Sequence, residues 1–398
     1  TPWGLIRAGV APDHPDKKRM AMVYEGIARR KGFRFIGNVQ LGRDLSPAEL
    51  SQWYDAVIYA VGADGERRLN IPGENLAGSS SARAFVSWYN GHPDFNSARF
   101  DLNTERAILV GNGNVAMDIA RILFSTPSSL HATDIAGHAL DSLAQSRLKE
   151  IVILGRRGAE CAAFNYPELA ELGDLPDTAI SVTGSDINSL PISADRETQL
   201  KLETLAKLCR EKSQGSRKID FRFNAAPIEF HGEGKLERVR IADTQQGRSQ
   251  EITLNAGLAF AAIGYRGLAI NGLPFNEGQG IIPNLGSRII ENNAVIPGAY
   301  VCGWIRRGPK GIIGSNKKCA RDAVAAMMAD ADNNLLPREG TLSSEQVLEL
   351  IKVKQPAATD FSNWQAIDRY EQFHGKVLGR PRLKITNRED FTIALRGG

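Results

Sequence analysis

The sequence predicts an α/β fold of two domains, one of them discontinuous in the chain, on three observations. The chain has 398 residues, which is more than a single hydrophobic core usually serves, so about two domains are expected. Residues 104–160 read as a strand, a glycine turn, a helix and a second strand. Residues 257–264 form a continuous apolar run, which suits a strand inside a mostly parallel sheet.

The composition excludes several classes of protein. A chain with 42% hydrophobic and 24% charged residues is typical of globular domains and not of disordered, collagen-like or coiled-coil proteins. No stretch approaches the roughly 18 consecutive apolar residues of a membrane-spanning helix. The net charge of +4 is too small to indicate nucleic-acid binding. The four cysteines form no CxxC pair, so neither disulfides nor a metal site is expected.

The first third of the chain shows the alternation of strands and helices that an α/β fold requires. Residues 33–41 and 55–63 read as two short β segments. Between them, Ser46 and the proline that follows it predict the start of a helix that ends near Trp53.

Further along, residues 219–241 alternate apolar and polar side chains, which predicts an antiparallel hairpin region. A glycine-rich turn begins at Gly303 and leads into a helix over residues 317–328. The tail from Leu335 contains two helical patches without an obvious core of their own.

The sharpest motif is GNGNVA, from Gly111 to Ala116, which follows an apolar strand and opens a helix. The first glycine permits a tight turn, and the second lets the backbone approach a pyrophosphate. The small last residue lets the helix pack closely on the strand, and the helix N-terminus offers free N–H groups to phosphates. In this context the motif predicts a dinucleotide site.

The second strand of the same unit ends in Arg156 and Arg157. An NAD site usually carries an acidic residue at this point, whereas arginine accepts the 2′-phosphate of NADP. Two guanidinium groups can bind a phosphate through paired hydrogen bonds, so the sequence favours NADP over NAD. A solvated basic pair is the alternative, because the crossover is longer than the usual spacing of about 20 residues.

A second glycine cluster, GWIRRGPKGIIG, begins at Gly303 and precedes a helix. Its glycines would let the backbone lie against a flat ring or a phosphate, and Trp304 offers a face for stacking. A structural turn with a core tryptophan explains the cluster equally well.

Together these segments resemble one known family. The stretches TPWGLIRAGVAPDH, YAVGA, ARAFVSWYNG, VGNGNVAMDIARIL, LGRRG and GWIRRGPKGIIGSNKKCA are similar to the adrenodoxin reductase type of ferredoxin-NADP reductase. The resemblance runs along nearly the whole chain. It implies a flavoprotein of two Rossmann-like dinucleotide-binding domains, in which an NADP domain (101–294) is inserted into an FAD domain (1–100 and 295–398).

The resemblance also implies site residues. The expected NADP contacts are Arg67, Asn112, Gly113, Asn114, Val115, Arg156, Arg157 and Glu168. The expected FAD contacts are Leu5, Leu41, Trp304, Gly311, Ile312 and Ile313. His14 and Glu171 match a polar pair near the flavin and nicotinamide rings and are the expected catalytic residues. Without the resemblance, Glu168 and Glu171 read as the exposed face of a helix and His14 as a loop histidine.

The implied function is electron transport: hydride transfer between NADPH and FAD, followed by one-electron transfer to an acidic iron-sulfur protein of the ferredoxin or adrenodoxin kind. A basic stretch from Lys207 to Arg222, with six basic and two acidic residues, is a candidate docking surface, although a solvated surface explains it as well. We expect a monomer, in the bacterial cytoplasm or, in a eukaryote, in the mitochondrial matrix.

The sequence departs from the family pattern in two places. After Arg157 it reads Gly-Ala-Glu-Cys, where the family usually has Gly-Pro. At its start, Thr1 corresponds to a point just beyond the GxGxxG unit that holds the FAD pyrophosphate in the family. We therefore expect a complete NADP domain and an incomplete FAD domain.

Three alternatives to a reductase fit parts of the sequence. The first is a flavin-free NADP-binding fragment, inactive without the segment that precedes Thr1. The second is the electron-input flavoprotein subunit of a larger synthase, which normally carries cysteine clusters that this sequence lacks. The third, a thiol-disulfide enzyme of the thioredoxin reductase kind, has little support because it needs a CxxC pair.

Overall fold

The computed structural model describes residues 1–188, 195–245, 248–311, 313–337 and 342–396. The chain divides into two compact units. Unit 1 consists of residues 32–67 and 264–361 with Thr1, and unit 2 of residues 2–31, 68–263 and 362–398.

The strands of both units are numbered in chain order. They are β1 (Val57–Tyr59), β2 (Gly65–Glu66), β3 (Ser79–Ser81), β4 (Arg106–Val110), β5 (Glu150–Gly155), β6 (Thr178–Thr183), β7 (Arg217–Phe223), β8 (Ala225–His231), β9 (Arg238–Gln245), β10 (Arg248–Asn255), β11 (Leu258–Ala261), β12 (Tyr265–Arg266), β13 (Asn284–Leu285), β14 (Arg288–Glu291) and β15 (Ala294–Val301).

The helices follow the same numbering. They are α1 (Gly4–Ala8), α2 (Pro15–Lys18), α3 (Met20–Ala28), α4 (Pro47–Trp53), α5 (Ala82–Tyr89), α6 (Asn114–Phe124), α7 (Pro127–His131), α8 (Gly137–Ala144), α9 (Tyr166–Ala170), α10 (Arg196–Glu211), α11 (Trp304–Arg307), α12 (Ile313–Asp332), α13 (Ser344–Lys354), α14 (Phe361–Val377) and α15 (Arg388–Arg396). Short 3-10 helices span Pro93–Phe95, Ala159–Cys161 and Glu171–Asp174.

Unit 2 is built on a six-stranded sheet in the order β3-β11-β4-β5-β7-β6. Every neighbouring pair in it is parallel. Side chains alternate between the two faces of a strand. On one face of β4, Ala107 and Leu109 pack in a core with α5, α6 and α8. On the other face, Ile108 and Val110 pack in a second core with the antiparallel sheet β8-β9-β10. The parallel sheet is thus covered on both faces, as parallel sheets generally are.

The predicted strand-helix-strand unit of residues 104–160 is confirmed as β4, α6 and β5, and the predicted apolar strand is β11. The hairpin predicted from Ile219 onward is wrong in its first part, because β7 is an inner strand of the parallel sheet and only β8 to β10 are antiparallel. The misleading polar residue is Asp220, which is fully buried and accepts hydrogen bonds from Ser181 (2.5 Å) and Arg222 (2.8 Å).

Unit 1 contains a four-stranded sheet in the order β1-β15-β14-β13, in which β1 and β15 are parallel. The predicted helix after Ser46 is confirmed as α4, and Ser46 and Glu49 form a capping box at its start. The strand predicted for residues 33–41 is wrong, since that segment forms only isolated bridges at Gly37 and Leu41. The helix predicted over residues 317–328 is the longer α12.

The division into units differs from the predicted domain ranges, 1–100 with 295–398 and 101–294. Residues 2–31, 68–100 and 362–398 belong to unit 2, and residues 264–294 to unit 1. Both units are discontinuous in the chain, whereas the sequence predicts one discontinuous domain. Which range binds which cofactor stays a prediction.

The last segment of unit 2 is tied to its first segment by a buried ion pair. Glu371 on α14 is fully buried and accepts hydrogen bonds from Arg7 Nη1 (2.8 Å) and Nη2 (2.5 Å) on α1. Arg382 Nη1 (3.0 Å) and the Ile385 backbone N–H (2.8 Å) also donate to this carboxylate. The tail predicted to lack a core of its own is therefore divided: residues 335–361 belong to unit 1, and the part from residue 362 onward shares the interior of unit 2.

Candidate functional site

The GNGNVA loop lies at the carboxyl end of β4. Gly111 has a φ of 109°, and a Cβ on it would lie 2.4 Å from the carbonyl oxygen of Ala262. Only glycine fits there, since L side chains avoid this backbone region and the space is already filled. Its N–H donates to the carbonyl of Leu154 at 2.9 Å, which fixes the turn against β5.

Gly113 differs from Gly111 because a side chain on it would clash with none of the described residues. Its φ of −93° is open to any residue, and a Cβ would meet its nearest atom, Ala163 Cβ, at 4.0 Å. α6 begins at the next residue, and Ala116 is fully buried in the core shared with the sheet. The helix N-terminus therefore has an open approach for a ligand, beside backbone N–H groups that α6 leaves unused.

Asn112 and Asn114 connect the loop to the segment before α9. Asn112 Oδ1 accepts a hydrogen bond from the Ala163 N–H at 3.5 Å, and Asn114 Oδ1 accepts one from the Asn165 N–H at 2.7 Å. Since α9 carries Glu168, these two contacts bring the expected nucleotide residues 112–115 and Glu168 into one region of unit 2.

Arg156 and Arg157 directly follow β5 and are exposed. β4 and β5 are adjacent and parallel, so the arginines and the GNGNVA loop lie at the same edge of the sheet. Among the residues that the structure describes, neither guanidinium has a hydrogen bond or an ion pair. Both groups are available to an anion.

His14 and Glu171, 157 residues apart in the chain, are joined by a hydrogen bond. His14 Nε2 lies 2.8 Å from Glu171 Oε2. On the other side of the ring, Lys17 Nζ lies 3.3 Å from His14 Nδ1 and 3.2 Å from Glu168 Oε1. Because an ammonium group only donates, Nδ1 accepts, and a neutral imidazole therefore carries its proton on Nε2, toward Glu171.

A buried arginine on α6 completes this cluster. Arg121 donates from Nε to Asp13 Oδ2 (2.5 Å) and from Nη2 to Asp13 Oδ1 (3.0 Å) and Asp118 Oδ1 (2.8 Å). Its Nη1 forms an ion pair with Glu171 Oε2 at 2.9 Å. Asp118 and Arg121 carry one signal in the sequence, since they are two charged residues three apart on an otherwise apolar helix.

The pKa values of two carboxyl groups in this cluster are shifted in opposite directions, according to whether burial or the neighbouring groups prevail. Burial raises the pKa of Asp118. Burial also acts to raise the pKa of Glu171, but the hydrogen bond from His14 and the charge of Arg121 prevail and lower it. Glu171 is therefore held as a carboxylate that accepts from His14.

In unit 1, the second glycine cluster follows β15. Gly303 has φ 74° and ψ −149° at the start of α11, and Gly311 has φ 89°, so both positions need glycine. The ring of Trp304 stacks on Tyr265 with centroids 5.6 Å apart, and its buried indole nitrogen has no hydrogen-bond partner in the described part of the chain. Ile313 begins α12, while the expected site residue Ile312 lies outside the described residues.

The remaining expected contacts are divided between the units. Leu41 packs against the core of unit 1. Arg67 is exposed in unit 1 and donates from Nε to the carbonyl of Tyr265 at 3.3 Å. Leu5 lies on α1 of unit 2 with 55% of its surface exposed. Each unit therefore holds part of both expected contact sets.

Within the described ranges, no group of three or more His, Cys, Asp or Glu side chains is arranged to hold a metal ion. None of the helices described is both long and apolar enough to cross a membrane.

No protein-family model matches the chain. The chain is 42% identical over 419 residues to NADPH-ferredoxin reductase FprA of Mycobacterium tuberculosis, a match that covers 97% of this chain and 88% of the relative. The chain belongs to the NADPH-ferredoxin reductase family. It is also 36% identical over 425 residues to the mitochondrial NADPH:adrenodoxin oxidoreductase of Arabidopsis thaliana, across 99% of this chain and 88% of the relative.

The solved structure of Mycobacterium tuberculosis FprA in complex with NADPH has the same fold as this reductase. The two superpose with a TM-score of 0.91 at 40% identity, over 100% of this chain and 90% of that chain. The family and the α/β fold class predicted from the sequence are thereby confirmed. The roles of individual site residues stay predictions.

Proposed function

We propose that the protein is an NADPH-ferredoxin reductase, which uses NADP(H) and FAD and delivers electrons to an iron-sulfur protein. The observation that carries this proposal is a group of polar side-chain atoms that lack hydrogen-bond partners in the described part of the chain, at the carboxyl edge of the parallel sheet in unit 2. There, the space beside Gly113 is open, Arg156 and Arg157 have no partners among the described residues, and a buried oxygen of Glu168 accepts no hydrogen bond.

The unit 2 residues fit NADP. Glu168 is 13% exposed and pairs with Lys17 through Oε1, but its Oε2 is buried and has no hydrogen-bond partner within the described ranges. A buried carboxylate oxygen is costly to leave unpaired, and a ribose hydroxyl would satisfy it. The loop around Gly113 would hold the pyrophosphate, and Arg156 and Arg157 would bind the 2′-phosphate.

The unit 1 residues fit the polar edge of a flavin. Two buried donors of the second glycine cluster, Trp304 Nε1 and Arg307 Nη1, have no hydrogen-bond partner among the residues that the structure describes. Carbonyl oxygens and ring nitrogens of an isoalloxazine are suitable acceptors for both groups. Gly311 allows close approach of the backbone, because its conformation admits no side chain.

The bound flavin supplies the hydride-accepting and one-electron chemistry of the reaction. The residues of the chain itself bind and orient the cofactors and hold protons. His14 Nε2 and Glu171 Oε2, 2.8 Å apart, share one proton, and Lys17 keeps the second ring nitrogen as an acceptor. We infer that this pair orders the site and holds the proton that accompanies reduction.

We further propose that the iron-sulfur partner is acidic and that Arg210 contributes to its docking. Most cations of the basic stretch from Lys207 to Arg222 have structural partners: Lys212 with Leu175, Arg217 with Phe124 and Pro176, and Lys218 and Arg222 with Asp220. Arg210 on α10 is exposed and has no side-chain partner in the described part of the chain. An exposed charge of this kind steers an oppositely charged partner.

The docking proposal predicts that Arg210→Glu weakens ferredoxin binding, with a smaller dependence on salt. Arg30→Glu is the matched control, because Arg30 is also exposed in unit 2. Equal affinity of both variants would remove Arg210 from the docking surface.

We also propose a monomer that works in the bacterial cytoplasm. Mycobacterial relatives support the bacterial setting, although the Arabidopsis relative is mitochondrial. Light scattering on the purified chain tests the monomeric state, and fractionation of the source cells tests the location.

The proposed activity is tested on the purified full chain by flavin absorbance and by NADPH-dependent reduction of a ferredoxin. We expect a flavin-containing protein that NADPH reduces and that passes electrons to ferredoxin. A protein that binds NADP⁺ but neither contains nor takes up FAD would instead be a flavin-free nucleotide-binding protein. Reduction that requires further subunits would indicate the electron-input subunit of a larger synthase.

A further inference from the structure

We propose that Arg121 is a positioning residue for the His14 and Glu171 pair, an inference that rests on the proposed reductase function. Its guanidinium binds Asp13, the chain neighbour of His14, and contacts Glu171, the hydrogen-bond partner of His14. Both ends of the pair are thereby held by one rigid group on α6, the helix that begins at the nucleotide loop.

The geometry of these contacts requires arginine. The planar guanidinium presents several N–H donors in a fixed arrangement, whereas a lysine ammonium is a single point charge on a flexible stem. Arg121 uses Nε and Nη2 for the two oxygens of Asp13, and its Nη1 forms an ion pair with Glu171 Oε2 at 2.9 Å without a hydrogen bond to any described residue. With a side chain only 7% exposed, it has little freedom to leave this position.

The charges around His14 explain why a cation is needed. The charged groups that face the imidazole or its direct partners are Asp13, Lys17, Asp118, Arg121, Glu168 and Glu171. Arg121 is the buried cation of this set, since the Lys17 side chain is 44% exposed. Without Arg121, the carboxylates of Asp13, Asp118 and Glu171 would repel one another in a region of low dielectric.

Loss of Arg121 therefore has consequences that a purely structural arginine would not produce. The pKa of Glu171 should rise, because the charge of Arg121 is one of the causes that lower it. A protonated or displaced Glu171 no longer accepts from His14 Nε2, so the Nε2 proton exchanges faster with water.

The experiment compares the wild type with Arg121→Gln and Arg121→Lys. Carboxyl ¹³C NMR of the unliganded protein follows the titration of Glu171, and ¹H–¹⁵N NMR of the imidazole follows the exchange of the Nε2 proton. We expect Arg121→Gln to raise the titration midpoint of Glu171 by about one unit and to abolish the Nε2 proton signal. Arg121→Lys, which keeps the charge, should shift the midpoint by less than half as much.

Stopped-flow reduction of the enzyme by NADPH provides the functional arm. Arg121→Gln should slow hydride transfer by about tenfold at saturating NADPH, while NADP⁺ affinity changes by less than about twofold. Affinity is preserved because Arg121 has no contact with the loop or with Arg156 and Arg157 among the described residues.

Arg382→Gln is the matched control for general destabilisation. Arg382 also binds two carboxylates in unit 2, Asp368 (2.6 Å) and Glu371 (3.0 Å), but none of the His14 cluster. The proposal is overturned if Arg121→Gln and Arg382→Gln lose similar stability while the Glu171 midpoint and the Nε2 proton signal stay as in the wild type. If Arg121→Gln fails to fold, an unchanged hydride-transfer rate in Arg121→Lys overturns the proposal.

A wild type without NADPH-reducible flavin refutes the reductase function separately, because the NMR measurements need no turnover.

Discussion

Lys17 Nζ lies 3.3 Å from His14 Nδ1, so a lysine determines which imidazole nitrogen of the neutral ring carries the proton. In Lys17→Met this donor is lost, and Nδ1 is free to hold the proton opposite Asp118, whose Oδ1 is 4.0 Å away. We expect a mixture of tautomers in place of the Nε2–H form, and a several-fold slower hydride transfer. ¹⁵N NMR of the imidazole distinguishes the forms, with exposed Lys31→Met as the control. A wild type that already holds the Nδ1–H form would contradict the geometry.

The two glycines of the nucleotide loop should respond differently to alanine. Gly111→Ala places a methyl 2.4 Å from the Ala262 carbonyl at a φ of 109°, which should cost several kcal/mol of unfolding free energy, roughly 2 to 4. Gly113→Ala meets no protein atom closer than 4.0 Å and should keep its stability, but it should weaken NADP⁺ binding about tenfold. Thermal unfolding and calorimetric titration check the pair. Equal NADP⁺ affinity of Gly113→Ala and the wild type would show that the backbone does not approach the pyrophosphate.

Arg156 and Arg157 should distinguish NADP from NAD. Removal of one charge-assisted contact costs about 1.5 to 3 kcal/mol, so each alanine variant should lose about 10-fold to 100-fold in affinity for 2′,5′-ADP. Affinity for 5′-AMP, which lacks the 2′-phosphate, should hardly change. Arg30→Ala supplies the control at another exposed position of unit 2. Parallel losses for both nucleotides would place the arginines elsewhere on the ligand.

Trp304→Phe tests the unpartnered indole nitrogen in unit 1. Phenylalanine keeps an aromatic ring for the stack on Tyr265 but removes the buried Nε1 donor. If a flavin acceptor normally satisfies that donor, we expect about threefold to tenfold weaker retention of FAD, measured by equilibrium dialysis. Phe33, an exposed aromatic residue of the same unit, gives the control Phe33→Leu. Unchanged retention in Trp304→Phe would mean that the indole nitrogen faces no flavin acceptor.

The buried Glu371 should make unit 2 sensitive to acid. Burial acts to raise the pKa of this carboxyl, but the charges and hydrogen bonds of Arg7 and Arg382 prevail and lower it. Its stabilising contribution is therefore complete above the unfolded value of about 4.3 and is lost as the pH falls through the lower folded value. Glu371→Gln should cost about 3 to 5 kcal/mol at pH 7, and the difference from the wild type should shrink below about pH 4.

Denaturant unfolding between pH 7 and pH 3 checks this prediction. Glu345→Gln is the control, since Glu345 forms a solvent-exposed pair with Arg34 whose loss should hardly change stability. A Glu371→Gln deficit that stays constant across the whole pH range would contradict the ionised state of Glu371.

The sequence was most informative where the structure depends on neighbours in the chain. Three features were predicted because each depends on residues only a few positions away in the chain. They are the turn at Gly111, the start of α6 and the cap at Ser46. The position of β7 in the sheet was not predicted. The polar residue Asp220 makes β7 look half-exposed, and the strands that pair with β7, β5 and β6, are distant from it in the chain. Parallel pairing is decided by tertiary contacts that alternation does not reveal.

The candidate site shows the same limit. Spacing alone predicted the nucleotide loop and the arginine pair, but only the family resemblance pointed to His14 and Glu171, which are 157 residues apart. The role of Arg121 was not predicted, because its partner Asp13 is 108 residues away. The spacing of Asp118 and Arg121 indicates an ion pair within α6 but not its connection to His14. A charged residue on an otherwise apolar helix therefore indicates a partner of opposite charge elsewhere in the chain, which has to be sought among distant motifs.

The ion pair between Arg7 and Glu371 also constrains how the protein is made. The two residues are 364 positions apart, and at about 5 to 20 residues per second a ribosome needs roughly 20 to 70 seconds to synthesise the chain between them. During that interval Arg7 lacks its carboxylate partner, and the first and central segments of unit 2 wait for the third. Unit 2 therefore reaches its final fold late in translation or after it, and the nascent chain depends longer on chaperones than a contiguous domain would.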